Sequence, residues 1–530
     1  MISNSANEEV THKIFTAIYF LIFLALILLM YSADWWSLNN KPSWPWEKLL
    51  VLRLAGSALL ALLFCTVSSW VCTASLRIKL FLICWCCYLL ILFFASWPGY
   101  LMSDSVSALV YSTQYPMQLW LGFFKPFLYS VILQVVPHVA AITFLQLMFV
   151  AVVFAYISEV IVVVTKEKKY AAAFFFFTAT NPAIAFNLAL LSRDTLFSVI
   201  ILWLVAFVVR LAQENSAKTL SLAIAGILSG LAVALRGDGW FVLVPFLLAV
   251  LYILRNTRAF FVVCGTSTAL VILFAFFMPL LLGYQGNSFK YKVANTINPL
   301  GYVLQSKFHT DIGRNLGPIG EVVNIEKIKN LQNPYEIPYW WSGEGGDPNG
   351  ASPEAKENYL GHVFRFLREN IGIYIAGRFE MLFATTGLNR NQFAIIDMYR
   401  DGWPSYASPE SVNIDLSEGR PFPLLSDSLQ NIFEKSVRFD PSLSSGSVIF
   451  WNFLPWLLVL LFAVCVRSSI PGLRLAAFVV LARVPIVFLA APASQFKYYL
   501  SIPLCGAFLL VLILGKLFGS CSTSKETLHK

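Results

Sequence analysis

Long apolar stretches, separated by short polar or basic turns, run through most of the chain. A helix that spans a bilayer needs about 20 mostly apolar residues, and about twelve stretches approach or reach that length. They lie roughly at 13–30, 49–71, 78–97, 140–164, 170–190, 194–211, 220–235, 240–254, 259–283, 447–466, 475–491 and 498–518. The pattern predicts an all-α polytopic membrane protein with about 12 transmembrane helices.

Residues 284–446 break this pattern. They carry 15 Lys and Arg against 18 Asp and Glu, contain no cysteine, and include the turn-rich run 343–350. We therefore predict three regions. Residues 1–283 form a membrane domain of nine helices with a polar loop at 98–138, residues 284–446 form a large insert, and residues 447–530 hold the last three helices and a tail.

Composition and charge support a membrane protein and indicate its orientation. The chain is 58% apolar and 13% charged, whereas soluble domains are about 25% charged. Outside the insert, 23 basic residues face 11 acidic ones. They concentrate in alternate short loops, for example at Arg77, Lys168 and Arg255, so the positive-inside rule predicts cytoplasmic termini and an extracytoplasmic insert. Nucleic-acid binding is the weaker explanation of the basic charge.

The insert contains one clear amphipathic pattern. Arg365, Arg368 and Glu369 lie off its apolar stripe. The stripe consists of Leu360, Val363, Phe364, Leu367, Ile371 and Tyr374. Either this stripe packs inside the insert, or the helix lies in the membrane interface.

Asp104 is the only carboxylate of the first polar loop. Asp caps helices routinely, so a capping role is one interpretation. The other is a general base at the mouth of a reaction cleft, because the residue follows a Pro-Gly turn beside an apolar stretch.

Charged residues also interrupt the apolar stretches at three further places on the predicted outer side. Exposed ion pairs are the simpler interpretation of the turns at 193–194 and 236–238, and such pairs contribute little stability. The alternative is a cluster of cations for a phosphate, which Arg binds through two parallel hydrogen bonds. The candidate cations are Arg193, Arg236 and Lys497, and the supporting polar residues are Asp194, Asp238 and Tyr498.

Two adjacent indoles, Trp340 and Trp341, stand in a polar part of the insert. Aromatic faces stack on sugar rings, which predicts an acceptor-binding role. A small local core is the alternative.

With these residues in order, the chain resembles the C-type superfamily of membrane glycosyltransferases, in its bacterial O-antigen and surface-glycan branch. The resemblance covers about 13–518 through short motifs. They are Pro98-Gly99 with Ser103-Asp104-Ser105, Ser192-Arg193-Asp194-Thr195, Leu235-Arg236-Gly237-Asp238-Gly239 and Lys497-Tyr498.

The resemblance implies transfer of a sugar from an undecaprenyl-phosphate donor to a lipopolysaccharide O-antigen or other surface glycan, on the outer face of a bacterial inner membrane. Asp104 would be the catalytic base, and Arg193, Arg236 and Lys497 would bind the donor phosphate. Many members carry two acidic residues where this chain has one. A divalent metal is therefore the weaker expectation, and no cofactor is predicted.

Two other classes remain open. A secondary transporter or flippase would also have about twelve helices, but it should show repeated halves with broken helices, and no internal repeat is visible. A non-catalytic scaffold for polymer assembly would not need an acid and several cations on one face.

Overall fold

The computed structural model describes most of the chain. The described residues are 18–19, 21–26, 45–113, 115, 122–136, 138–216, 218–283, 288–330, 350–388, 421–437, 449–466 and 469–526. Within them the secondary structure is helical, apart from one isolated bridge between Tyr100 and Leu190. Trp340 and Trp341, and the turn-rich run before residue 350, lie outside the described residues.

Most helices before residue 284 follow the predicted apolar stretches, but the predicted polar loop at 98–138 contains two further helices, Ser103–Thr113 and Phe124–Val135, and the second of them is largely buried. The helices of this region are α1 Trp46–Thr73, α2 Leu76–Ala95, α3 Ser103–Thr113, α4 Phe124–Val135, α5 Val139–Thr165, α6 Lys168–Ala179, α7 Pro182–Ala189, α8 Arg193–Glu214, α9 Thr219–Leu235, α10 Trp240–Leu254 and α11 Thr257–Ile272. A 3-10 turn, Gly237–Gly239, precedes α10, and a π-helical turn, Leu273–Phe277, continues α11 into Met278–Leu281.

The later helices form two groups. Those of the predicted insert are α12 Ser288–Gln305, α13 Pro353–Glu369, α14 Ile371–Thr385 and α15 Pro423–Val437, with short turns at Leu316–Gly320 and Ile325–Lys329. Those that follow are α16 Leu454–Cys465, α17 Leu473–Leu481, α18 Val484–Ala490 and α19 Ser501–Glu526.

Seven helical segments of the described chain are long and apolar enough to cross a membrane, which indicates a membrane protein. They are Leu76–Ala95, Val139–Thr165, Arg193–Glu214, Gly237–Leu254, Thr257–Leu281, Leu473–Ala490 and Phe496–Phe518. Each coincides with a predicted stretch. The all-α class is therefore confirmed, while the full number of twelve stays a prediction.

The stretch predicted at 170–190 is divided rather than continuous. Its two helices, α6 and α7, meet at an angle of 74°. Pro182 is the first residue of α7, and the side chain of Asn181 accepts the N–H groups of Ala183 and Ile184. Because proline lacks an N–H and Asn is a strong helix cap, this pair begins a new helix instead of extending α6.

The centre of the bundle is made by α5, α8 and the spanning part of α19, whose side chains are mostly buried. The outer helices expose apolar side chains, for example Ile83 on α2 and Leu280 after the π-helical turn. Apolar exposure of this kind is expected where a helix faces lipid.

Close packing of α9 against α11 positions the turn that follows α9. A Cβ on Gly230 would lie 2.7 Å from the carbonyl oxygen of Ser267, and one on Gly226 would overlap Thr266. These two glycines form a small-xxx-small contact, which lets membrane helices approach closely. The Arg236–Gly239 turn is thus held at the end of a rigid pair.

The first part of the insert has its own core. Tyr359, Val363 and Phe366 of α13 are fully buried against apolar residues of α12. The predicted stripe is therefore partly wrong, because its members Phe364 and Ile371 are 65% and 55% exposed. The buried face is rotated toward Tyr359 and Phe366, since α13 packs against α12 from that side.

The last described helix of the predicted insert belongs to the membrane domain by its packing. Phe433 of α15 is fully buried against the rings of Tyr100 and Phe186. In addition, the hydroxyl of Ser426 donates to the carbonyl oxygen of Ala95 at 2.9 Å. The described residues of the predicted insert therefore do not form one separate body.

Candidate functional site

Four polar segments meet at one end of the helix bundle, around residues 100–105, 190–195, 236–239 and 497–499. The first two are joined through their backbones. The N–H of Tyr100 donates to Ala189 at 3.2 Å, and the N–H of Leu191 donates to the carbonyl of Tyr100 at 2.9 Å. The hydroxyl of Ser105 also donates to the carbonyl of Leu191. Asp104 is thereby held beside the start of α8.

Asp104 forms an ion pair with Lys497, which lies 393 positions later in the chain. The Lys497 ammonium donates to Oδ2 of Asp104 at 2.9 Å, and the two side chains are 3% and 25% exposed. Helix α3 begins at Ser103, and the N–H of Val106 donates to the carbonyl of Met102. Met102 is therefore the N-cap residue, and Asp104 is the second residue of the helix. The carboxylate of Asp104 bonds to Lys497, which favours a role other than capping.

The surroundings of Asp104 keep its carboxyl group ionised. Burial is the largest influence and would raise its pKa, but the Lys497 ammonium, together with the charges of Lys125 and Arg193, outweighs burial. The result is a pKa of about 2. Lys125 lies close as well, because its ammonium donates to the backbone carbonyl of Asp104 at 3.3 Å.

Arg236 joins the second and third segments. Its Nη1 bonds to Oδ1 of Asp194, and its Nε donates to Oδ1 of Asp238 at 2.7 Å. Asp194 is only 2% exposed and Arg236 only 11%. The simpler interpretation of two exposed pairs, each within its own turn, is therefore wrong for Asp194, whose salt bridge crosses to Arg236.

Arg483, which lies between α17 and α18, extends this network through further hydrogen bonds. It donates from Nε to Oδ2 of Asp238 at 2.8 Å and from Nη1 to the carbonyl of Tyr498 at 2.9 Å. The same guanidinium lies 4.7 Å from the ring centroid of Phe197. Arg483 therefore ties the turn after α9 to the segment that carries Lys497.

Tyr498 lies between the two groups of charges. The guanidinium carbon of Arg236 is 5.5 Å from its ring centroid, and the ammonium of Lys497 is 5.4 Å from it. Arg236 and Lys497 are thus no further apart than the sum of these distances. Arg236 lines the cavity described below, whereas Lys497 bonds to Asp104.

A cavity of about 370 Å³ opens beside this cluster. Its polar wall contains Arg193, Arg236, Asp238 and Tyr498, and Asn295 of α12 completes it from the insert. The apolar part of its lining, here called the apolar wall, comes from α18 and the following turn, with Ile486, Val487, Ala490, Ala491 and Pro492. The cavity therefore combines charged residues with apolar ones.

The structure brings most of the residues singled out from the sequence together. Arg193, Arg236, Asp238 and Tyr498 line the cavity. Asp194 lies behind Arg236, while Asp104 and Lys497 form the neighbouring pair. The acceptor role predicted for the two tryptophans falls outside the described residues.

Three residues of this region were not among the predicted site residues. Arg483 and Lys125 carried one signal, a charge inside an apolar stretch, where an ionised group needs a partner. Asn295 carried none, because a single Asn in a polar insert is unremarkable in sequence. Within the described residues, no group of three or more His, Cys, Asp or Glu side chains could hold a metal ion.

The Asp104–Lys497 pair makes stability depend on pH in a predictable way. In wild type the pKa of Asp104 is below its ordinary value of 3.8. The pair therefore stabilises the fold above that value and is lost only as pH falls toward 2. In Lys497→Met, burial should dominate over the remaining charges of Lys125 and Arg193 and raise the pKa of Asp104 above its ordinary value. That variant should lose thermal stability as pH rises from about 4 to about 6, where the wild-type pair is unaffected.

Thermal unfolding in detergent across this pH range measures the effect. The control is the double variant Asp104→Asn with Lys497→Met, which lacks the titrating group and should lose the extra pH dependence. If the thermal stability of the single and double variants depends on pH in the same way, Lys497 does not control the pKa of Asp104.

In comparisons with known proteins, no family model, no curated protein and no solved structure matches this chain.

Proposed function

We propose that this protein transfers a sugar from a polyprenyl-phosphate donor to an acceptor hydroxyl at the membrane surface. The observation that carries the proposal is the cavity that Arg193 and Arg236 line, beside the ion pair of buried Lys497 with half-buried Asp104. A polyprenyl-phosphate sugar is anionic at one point and apolar along its tail. The lining of the cavity offers both guanidinium groups and apolar side chains.

Arg236 is suited to bind the donor phosphate because only part of its guanidinium group bonds to the carboxylates. Its bonds to Asp238 and Asp194 employ Nε and Nη1, so the Nη2 donors are left for a ligand oxygen. Arg193 contributes a second guanidinium to the same wall. Two such groups would stabilise the negative charge that develops on the phosphate as it leaves.

The proton of the acceptor hydroxyl needs a base, and we assign that role to Asp104. The acceptor oxygen would bond to the anomeric carbon, the bond from that carbon to the phosphate oxygen would break, and the proton would pass to the Asp104 carboxylate. A carboxylate with a pKa of about 2 is a weak base. An incoming phosphate that attracts Lys497 would loosen the ion pair and raise the basicity of Asp104.

The membrane location and the acceptor follow from the sequence rather than from the site. The basic short loops predict that the Asp104 end lies outside. The resemblance implies a bacterial inner membrane, where an outer-face site would suit an O-antigen or other surface glycan. Both termini would then be cytoplasmic.

Orientation is directly testable. A periplasm-active reporter fused within the insert should be active, and the same reporter fused after Phe518 should be silent. Accessibility of single cysteines to impermeant reagents in intact cells checks the result independently. Labelling of the insert only after the cytoplasm is opened would overturn the assignment of the site to the outer face.

Filling the cavity should abolish transfer. Gly237 lines it, and a Cβ built there meets nothing within 4 Å. Gly237→Leu should therefore fold normally and lower transfer by about 100-fold or more, because a displaced substrate loses its orientation. Gly265→Leu is the matched control, since Gly265 of α11 also has open space around it and does not line the cavity.

The assay uses protein in proteoliposomes, a set of undecaprenyl-phosphate hexoses with labelled sugar, and purified O-antigen polysaccharide. Label should appear in the polysaccharide with wild type and Gly265→Leu but not with Gly237→Leu. Labelled lipid that crosses the bilayer without sugar release would favour a transporter instead. The broken pair α6–α7 is the feature of the described fold that such a protein would share.

A further inference from the structure

The apolar wall of the cavity is built on a helix end whose carbonyl groups lack backbone partners. Helix α18 ends at Ala490, and the last carbonyls of any helix need donors from elsewhere. The carbonyl of Phe488 would normally accept from the residue four positions later. That residue is Pro492, which has no N–H. Other donors must therefore complete this end.

The insert supplies them from α14. Arg378 donates from Nε to the carbonyl of Phe488 at 2.6 Å and from Nη2 to the carbonyl of Ala491 at 2.8 Å. The hydroxyl of Tyr374 donates to the carbonyl of Leu489 at 2.8 Å. Arg378 is 3% exposed. Its positive charge interacts favourably with the partial negative charge of the helix C-terminus.

Helix α14 is in turn fixed to the other insert helix that reaches the cavity. A Cβ on Gly377 would lie 2.4 Å from the ring of Tyr302, so α12 and α14 are in direct contact there. Helix α12 also supplies Asn295 to the cavity wall. The insert thus borders the cavity twice, once directly and once through the carbonyls that Arg378 holds.

We propose that Arg378 is a positioning residue through which the insert sets the shape of the cavity wall, and with it the affinity for the phosphate-bearing ligand. The identity of that ligand rests on the proposed function, whereas the control of wall shape does not. A lysine at this position keeps the charge but lacks the planar fork that reaches two carbonyl oxygens at once.

Two measurements test this on the full-length protein in nanodiscs. The first is binding of undecaprenyl phosphate. The second is the rate at which an anionic thiol reagent labels Ala490→Cys, a position in the cavity wall, relative to the parent without that cysteine. Both are made with Arg378→Gln, with Arg378→Lys and with the control Arg368→Gln, whose side chain on α13 is exposed.

Arg378→Gln should weaken binding by about tenfold, because the wall loses hydrogen bonds that each contribute at least that factor and the ligand experiences only part of the loss; it should also change the labelling rate several-fold. Arg378→Lys should fall between it and wild type, and Arg368→Gln should match wild type. If Arg378 served only global stability, its substitution would lower the melting temperature. Lipid binding and cysteine labelling of the protein that remains folded would then be unchanged.

The outcomes separate the two hypotheses. If wild type does not bind undecaprenyl phosphate but labelling still changes in Arg378→Gln, the proposed function fails and the positioning role stands. If Arg378→Gln does not fold, Arg378→Lys and Tyr374→Phe decide by the same readouts. Binding and labelling equal to Arg368→Gln in every folded variant would overturn the proposal.

Discussion

Asp104→Asn is expected to lower sugar transfer by about 10²–10⁴-fold, the usual contribution of a positioned base. The change keeps the size of the side chain and its oxygen acceptor for Lys497, so the fold and the binding of undecaprenyl phosphate should be retained, although loss of the ion pair lowers thermal stability. The reason is chemical: an amide cannot take the proton that the acceptor hydroxyl must lose. Transfer from an undecaprenyl-phosphate hexose at saturating acceptor measures the effect.

The capping interpretation makes the opposite prediction. Asn caps helices as well as Asp does, so an enzyme that used Asp104 only as a cap would remain active. Retention of more than about a tenth of the parent rate would therefore remove Asp104 as the base. Asp238, which lines the cavity, would then be the next candidate, although two arginines already bond to its carboxylate.

Asp104→Glu provides a matched companion. It retains a carboxylate but moves it by one methylene, and it should recover part of the rate that Asp104→Asn loses. Equal loss in both variants, with normal lipid binding, would indicate that the position of the group matters more than its proton affinity.

The apolar pattern was sufficient to predict the helical membrane class, because burial in lipid leaves little choice of structure for 20 apolar residues. It was less informative where local chemistry intervened. Asn181–Pro182 divided one predicted span, although the stretch around them is apolar throughout. The bend follows from a missing N–H, which hydrophobicity does not register.

The members of the charged cluster could also be found from sequence, since charges in apolar surroundings stand out. Their pairing could not. Asp194 follows Arg193 directly, yet its salt bridge is to Arg236, 42 positions away. Asp104 has no basic neighbour in sequence before Lys125, yet Lys497 bonds to it. These partners are chosen by helix packing, which single-sequence patterns do not encode.

The same limit applies to the insert. Its composition distinguished it from the membrane helices. Composition did not predict that α15 packs on α2 and α7, or that α14 bonds to the end of α18. An amphipathic pattern gives the period of a helix and not its partner. The rotation of the buried face of α13 toward Tyr359 has the same origin.

Arg236→Ala should have the largest effect on stability, because it leaves two carboxylates without their shared partner. Asp194 is 2% exposed and Asp238 15%. Removing one member of a buried ion pair typically destabilises a protein by about 3–5 kcal/mol. The variant should therefore unfold at markedly lower temperature or denaturant concentration than wild type, and loss of transfer in it would not by itself identify a phosphate ligand.

The double variant Arg236→Ala with Asp194→Asn separates the two effects. It neutralises Asp194, the more deeply buried of the two carboxylates that lose Arg236, while Asp238 keeps its bond to Arg483. Much of the lost stability should return, yet binding of undecaprenyl phosphate should stay weakened by about tenfold or more, because a charge-assisted bond to the phosphate is still missing. Wild-type stability in Arg236→Ala would contradict the buried network, and wild-type binding in the double variant would exclude Arg236 as a phosphate ligand.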